Sequence, residues 1–313
     1  MEQNDLIVRA SWLYHVEGLT QAQIADRLHL TRRRVNEMLA QAHRDGVVKV
    51  SFNSKLADCV ALEAELCQRF GLEDAIVVPT PEDASQIHKI MGRAVAAYLE
   101  RFIAAHDIRS FGVAWGSTLR ETIQFMTPQP RADMEVHSMT GGLTQGTEIN
   151  TFEIVRGFAQ IFSAKCRYFV APIYAESPES RDAIISQTVF RRTYETICNV
   201  DLAYFSVGDA SNRSLQVRYG LPEGIDIEEL QEHGAVGDLA GRFLNAEGKQ
   251  LDHTINRQVL APELTSLKTI RHRLIVGGGA HKVPIVTAVL RGSYPTILAI
   301  DAESAKSILA QEN

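Results

Sequence analysis

Between residues 73 and 311 the chain repeats one pattern: a short apolar run, then a longer stretch with apolar residues at helical spacing. EDAIVVPT reads as a short buried strand, and QIHKIMGRAVAAYLERFI follows as a helix with a broad apolar face. SFGVAW runs into Gly116-Ser117-Thr118 and the helix TLRETIQFM. MEVHSM runs into Thr140-Gly141-Gly142, with a helix at about 151 to 162. CRYFVAPIYA and DLAYFSVGDA are further strands. RHRLIVGGG precedes a helix through PIVTAVLRG, and TILAID precedes the last helix, AESAKSILAQ. Strands alternating with helices require a parallel sheet wrapped on both faces, since parallel neighbours are joined by crossover connections. The expected class is α/β, with a Rossmann-like, mainly parallel body.

With 313 residues the chain exceeds one typical domain, and 45% hydrophobic content allows a real core. MEQNDLIVRA lacks the basic-then-apolar order of a signal peptide, and runs such as IVTAVL are too short to span a bilayer. The four cysteines form no CxxC pair and no zinc spacing. These features lead us to expect a cytoplasmic protein with reduced thiols, no metal and no membrane association.

The net charge is −6, but residues 1 to 52 hold seven Lys/Arg against six Asp/Glu. An acidic body is repelled by phosphate backbones, so any nucleic-acid contact must be local. Residues 5 to 17 place Leu6, Ile7, Ala10, Leu13, Tyr14 and Val16 at mostly helical spacing, and Gly18 ends that helix. Thr20 and Gln23 then form a capping box for QAQIADRL, whose buried side is expected to be Ala22, Ile24, Ala25 and Leu28. Thr31 caps a third helix from about Arg32 to Arg44, striped by Val35, Met38, Leu39 and Ala42. Asp45-Gly46 is a turn, and VVKVSF alternates like the wing of a winged helix.

Two short helices joined tightly, the second opening on three arginines, form the helix-turn-helix pattern, which lays its second helix in the major groove. Arginines in a first helical turn oppose the helix dipole; a phosphate backbone removes the conflict. The expected DNA-binding residues are Thr20, Gln21, Thr31, Arg32, Arg33, Arg34 and Asn36 of a winged helix-turn-helix domain at 1–53. Residues 54–313 are expected to form a second domain. Its first helix, KLADCVALEAELCQRF, carries a stripe broken by Glu63 and packs either on a second subunit or on the core.

Ligands of open α/β sheets bind at the carboxyl ends of the strands. Three such ends are small and polar: GST at 116 to 118, TGG at 140 to 142 and GGGAHK at 277 to 282. Glycine lets backbone N–H groups approach an anion, and a following helix N-terminus favours it. The hydroxyls of Ser117, Thr118 and Thr140 add donors, and Lys282 adds a point charge. None of the loops matches the Walker or dinucleotide fingerprints, so neither ATP nor NAD is expected and no cofactor is assigned.

GLTQAQIADRLHLTRRRVNEMLAQAHRDGVVKV resembles the helix-turn-helix of the SorC family of sugar-responsive transcription regulators. GVAWGSTL, GAVGDLAGRFLNAEGKQLD and LIVGGGAHKVPIVTAVLRGSYPTILAID resemble that family's effector domain, so the likeness covers nearly the whole chain. It implies a body like that of phosphosugar isomerases and deaminases, binding a phosphorylated sugar or related metabolite. It also implies phosphate contacts at Gly116, Ser117, Thr118, Thr140, Gly141 and Gly142, with Lys282 in the site and Asp238 close by. The chain departs from the family at Ile285-Val286 and at Ile300-Asp301, so the latter position is not carried over.

The function expected is a repressor of a carbohydrate or polyol catabolic operon, controlled by a phosphorylated sugar or polyol. The alternative is a phosphosugar isomerase or deaminase with an accessory N-terminal domain, in which Asp238, His233 and His281 would act as acid and base. In a regulator these groups hydrogen-bond sugar hydroxyls or stabilise loops, and no catalytic residue is assigned. Lys165 has nothing in its flanks that suggests a lowered pKa and reads as a surface lysine. One helix-turn-helix is a small interface, so dimers on palindromic operator half-sites are expected. The resemblance implies tetramers.

Overall fold

A computed structural model describes residues 3–48, 55–143 and 150–311. The chain divides into two compact units, Met1–Ser54 and Lys55–Asn313.

The first unit holds helices α1 (Gln3–His15), α2 (Gln21–Leu28) and α3 (Arg32–Arg44). Thr20 caps α2 by accepting the Gln23 N–H at 3.4 Å, while Gln23 Oε1 accepts the Thr20 N–H at 2.9 Å. Thr31 Oγ1 accepts the Arg34 N–H at 3.2 Å and caps α3. Each cap occupies a donor that a helix start leaves without an acceptor. Ile7, Ala10, Leu13, Ile24, Ala25, Val35, Met38, Leu39 and Ala42 form one core. Tyr14 and Val16, at and beyond the end of α1, are exposed instead, as is Ala22. Most of the expected wing lies outside the described residues. Its first two residues, Val47 and Val48, form a bend, and the Val48 N–H closes back onto the Ala42 carbonyl at 3.1 Å.

The second unit opens with α4 (Lys55–Phe70), β1 (Asp74–Val78), α5 (Ile87–Ala105), β2 (Ser110–Val113) and α6 (Ser117–Phe125). It continues with β3 (Glu135–Ser138), α7 (Thr151–Phe162), β4 (Lys165–Arg167), α8 (Pro178–Ser186), α9 (Thr188–Ile197) and β5 (Leu202–Asp209). Next come α10 (Leu215–Tyr219), α11 (Ile227–Glu232), β6 (Gly237–Leu239), β7 (Arg242–Leu244), α12 (Thr254–Gln258) and α13 (Leu264–Leu267). Last are β8 (His272–Val276), α14 (Val283–Arg291), β9 (Ile297–Asp301) and α15 (Ala302–Gln311).

The sheet runs β1-β9-β8-β5-β2-β3-β4, with every neighbour in that path parallel. An antiparallel hairpin, β6–β7, adds to the end of β5, pairing Gly208 with Asp238. Side chains of β5 alternate between two cores: Ala203, Phe205 and Val207 on one face, Leu202 and Tyr204 on the other. A strand buried on both sides reads as a continuous apolar run, which is why DLAYFSV carries no polar alternation. Helix α4 packs on the first of these cores through Cys59, Leu62 and Leu66. Glu63, which breaks its stripe, accepts the Val77 N–H of the edge strand at 2.9 Å.

CRYFVAPIYA is not a continuous strand: regular pairing stops at Arg167, and beyond it single bridges join Pro172 to Gly142 and Tyr174 to Val259. Pro172 has no N–H to give a ladder. Among the described residues no helix is long and apolar enough to cross a membrane.

Candidate functional site

The chain visits β2, β3 and β4 in one direction across the sheet, then places β5 on the other side of β2. Such a reversal leaves the loops on either side diverging, and a crevice opens at the strand ends between them. A cleft of about 240 Å³ lies there.

On its β2 side, Gly116 adopts φ +141°, and a Cβ on it would stand 2.3 Å from Ser206 Oγ. Ser206 is held by donating to the Trp115 carbonyl at 2.9 Å. The glycine lets the chain turn close against β5 into α6. Among the described residues no side chain caps α6, and its first intrahelical bond joins the Arg120 N–H to the Gly116 carbonyl. The preceding N–H groups at Ser117 and Thr118 therefore have no acceptor within the helix, which suits an anion. Thr118 Oγ1 meets His88 Nδ1 at 2.9 Å. Burial, then the nearby Lys282 and His281, push His88 down to about 4, so it is neutral near pH 7.

On the β8 side, Gly279 donates its N–H to Asp301 Oδ1 at 2.7 Å, fixing the glycine loop. Lys282 is half-buried and donates from Nζ to the Val207 carbonyl at 2.7 Å. Burial lowers its pKa, against the pull of Asp209 and Asp238. Asp238 accepts the Gly241 N–H at 3.0 Å. Burial raises its carboxyl to about 6, more than offsetting that hydrogen bond and Lys282. Asp209 accepts from the Ser211 hydroxyl, and Gln216 is 1% exposed at the cleft wall. The combination of a helix start, a lysine and buried polar side chains can hold a small anionic molecule with several hydroxyls.

Of the effector residues expected from the sequence, Gly116, Ser117, Thr118, Asp238 and Lys282 line this cleft, and so does His281. Thr140, Gly141 and Gly142 do not. Their strand, β3, lies one place further out, and the loop N–H groups are already used: Gly141 donates to Leu260 at 2.9 Å and Gly142 to Ala171 at 2.8 Å. Thr140 is fully buried against Thr151. His233 is exposed, bonded to the Glu229 carbonyl and outside the cleft. Lys165 is exposed on the edge strand. Sequence reasoning missed His88, Ser206, Asp209, Arg213 and Gln216. The end of β5, Val207-Gly208-Asp209, carried the same small-polar signal as the other strand ends. Gln216 carried none.

In the first unit, Arg32, Arg33 and Asn36 are exposed and Arg34 is half-buried. Arg33 and Arg34 share Glu37 at 3.1 and 3.4 Å, and these contacts lower the Glu37 pKa. That carboxylate relieves the charge conflict at the start of α3. Among the described residues Arg32 carries no such pairing. Gln21 Nε2 donates to Asn36 Oδ1 at 3.3 Å, tying α2 to α3, and Thr20 and Thr31 serve as caps.

Fold and cleft define a ligand-binding α/β domain with its site at the topological switch point of the sheet, preceded by a separate three-helix unit. Residues 54–310 match the family described as "Putative sugar-binding domain". The chain belongs to this sugar-binding domain family. It is 27% identical to the erythritol catabolism regulatory protein EryD of Brucella abortus over 99% of this chain and 98% of that protein. It is 30% identical to the deoxyribonucleoside regulator of Bacillus subtilis, over 98% of each. The full-length sorbitol operon regulator SorC of Klebsiella pneumoniae shares its fold, with a TM-score of 0.73 at 22% identity, over 98% of this chain and 100% of that one. These relatives are named as regulators.

Proposed function

We propose that this chain is a cytoplasmic DNA-binding transcriptional regulator, a repressor of a carbohydrate or polyol catabolic operon relieved by a phosphorylated sugar or polyol. Residues 1–53 form the winged helix-turn-helix, and residues 54–313 bind the effector and hold the oligomer, a dimer or tetramer. The observation that carries this reading is that the likeness to named regulators runs through both units, over 98–99% of this chain. It is supported by an exposed, uncommitted Arg32 at the start of a capped helix and by a cleft of anion-binding character. The relatives' names, erythritol catabolism and deoxyribonucleoside regulator, support a polyol or sugar ligand. DNA binding in one unit gives the cleft a sensing role, so no catalytic residue is assigned.

A mobility-shift titration tests this reading. The protein should retard a duplex spanning the promoter beside its own gene, and sugar or polyol phosphates should change the retardation without being consumed. Turnover of a sugar phosphate with no shift of any duplex would replace the regulator with an isomerase-type enzyme, for which the raised Asp238 beside Lys282 would be the acid–base group.

A further inference from the structure

Gln216 stands in the cleft wall with 1% exposure, and neither its carboxamide oxygen nor its nitrogen makes a hydrogen bond among the described residues. The Gln216 amide N–H faces the Tyr174 oxygen beyond hydrogen-bond distance and opposes the burial that raises that hydroxyl's pKa, while the Tyr174 proton goes to the Gly241 carbonyl; among the described residues the carboxamide oxygen faces no donor. A buried donor and acceptor left without hydrogen bonds cost stability. The nearby Gly220 leaves the amide its room: a Cβ there would stand 2.5 Å from Gln216 Nε2.

A carboxamide offers an acceptor oxygen and a donor nitrogen side by side. Two neighbouring oxygens of a ligand, a vicinal diol or a hydroxyl beside a carbonyl, complement it. The α6 start lies on the β2 side of β5, whereas Gln216 follows β5 and shares Tyr174 as a neighbour with Asp238 of the hairpin. We propose that Gln216 is a specificity-determining residue that holds an adjacent oxygen pair of the bound molecule, on the Asp238 side of the cleft and away from the phosphate at α6. This rests on the reading of the cleft as a phosphorylated sugar or polyol site. The logic of such a residue is rejection: an analogue without the paired oxygens leaves the amide buried and unpaired.

Calorimetric titration of the full chain tests it, with inorganic phosphate, butyl phosphate, erythritol 4-phosphate, ribose 5-phosphate and 2-deoxyribose 5-phosphate as probes. The parent should prefer at least one hydroxylated phosphate to butyl phosphate. Gln216→Leu should lose about ten- to a hundredfold on that ligand, the fold-change for one buried polar interaction. It should bind inorganic and butyl phosphate as the parent does, and melt at or above the parent temperature. Gln216→Met, close in length and shape, should give the same split. Equal affinity of parent and variants for the hydroxylated ligand overturns the proposal. So does a loss that extends equally to inorganic phosphate, a parent with no preference over butyl phosphate, or unfolding of both variants, which would assign Gln216 to the scaffold. A parent that binds none of the probes fails differently, since parent and variants are then alike silent, and removes the phosphate-site reading itself.

Discussion

The Lys282 ammonium donates to the Val207 carbonyl at 2.7 Å, and that bond aims a cation across the end of β5 between Asp209 and Asp238. The lysine lines the cleft. Replacing it with Ala removes the charge from the cleft and leaves α3 untouched. Lys282→Ala is expected to bind operator DNA normally and to need about ten- to a hundredfold more effector, equivalent to about 1.5–3 kcal/mol for a hydrogen bond to a charged group. Effector titration of the operator complex checks this; an unchanged midpoint takes Lys282 out of the site.

Asp238 makes stability depend on pH in a defined direction. Its folded carboxyl titrates at about 6, above the ordinary 3.8, so the folded state holds the proton more tightly. The stability this contributes is complete below about pH 4 and is lost as the pH rises through about 6, amounting to roughly 3 kcal/mol at most. Asp238→Asn keeps an acceptor for the Gly241 N–H and cannot ionise. Relative to this variant, the parent should weaken between pH 4 and 6.5. Parallel curves from urea denaturation across that range would contradict the assignment.

Arg32 should matter more to DNA than either neighbour, because Arg33 and Arg34 are engaged with Glu37. Arg32→Ala is expected to weaken operator binding by about 1–3 kcal/mol if it reads a base, or to lower the salt slope by about one if it meets a phosphate. Fluorescence anisotropy at several salt concentrations separates these outcomes. Full affinity and an unchanged slope would move the interface elsewhere.

Gly116→Ala should destabilise the second unit and abolish the effector response together. The substitution forces a Cβ to 2.3 Å from Ser206 Oγ at a φ of +141°, where side chains are strained. The expected cost is about 1–3 kcal/mol. Adding Ser206→Ala should recover the steric part only, leaving the backbone strain, and thermal melts of the two variants would show the difference.

Much of the first unit was readable locally. Thr20, Gln23 and Thr31 act on residues within three positions of themselves, so the caps and the helices they start follow from short-range spacing. The same holds for the stripe of Val35, Met38, Leu39 and Ala42. Glu63 shows where local reading ends: it interrupts an apolar stripe in the sequence, and its use is an N–H fourteen residues away on β1. Gln216 is a starker case, since nothing in LQVRY distinguishes its amide from a solvent-facing one, yet the fold leaves it 1% exposed.

By itself the sequence determined that strands and helices alternate, that the strands are buried on both faces and that their carboxyl ends carry small polar loops. Each of these rests on periodicity and composition within a dozen residues. Only the tertiary structure decided which loops meet. The order β8-β5-β2-β3 sets the end of β5 between the GST and GGGAHK loops and leaves TGG one strand outside, its N–H groups bonded to Leu260 and Ala171. Strand order is a matter of non-local pairing and crossover direction, and no stretch of chain encodes its own neighbours. The cleft lies where the chain reverses across the sheet, because two helices leaving adjacent strands toward opposite faces cannot fill the space between them.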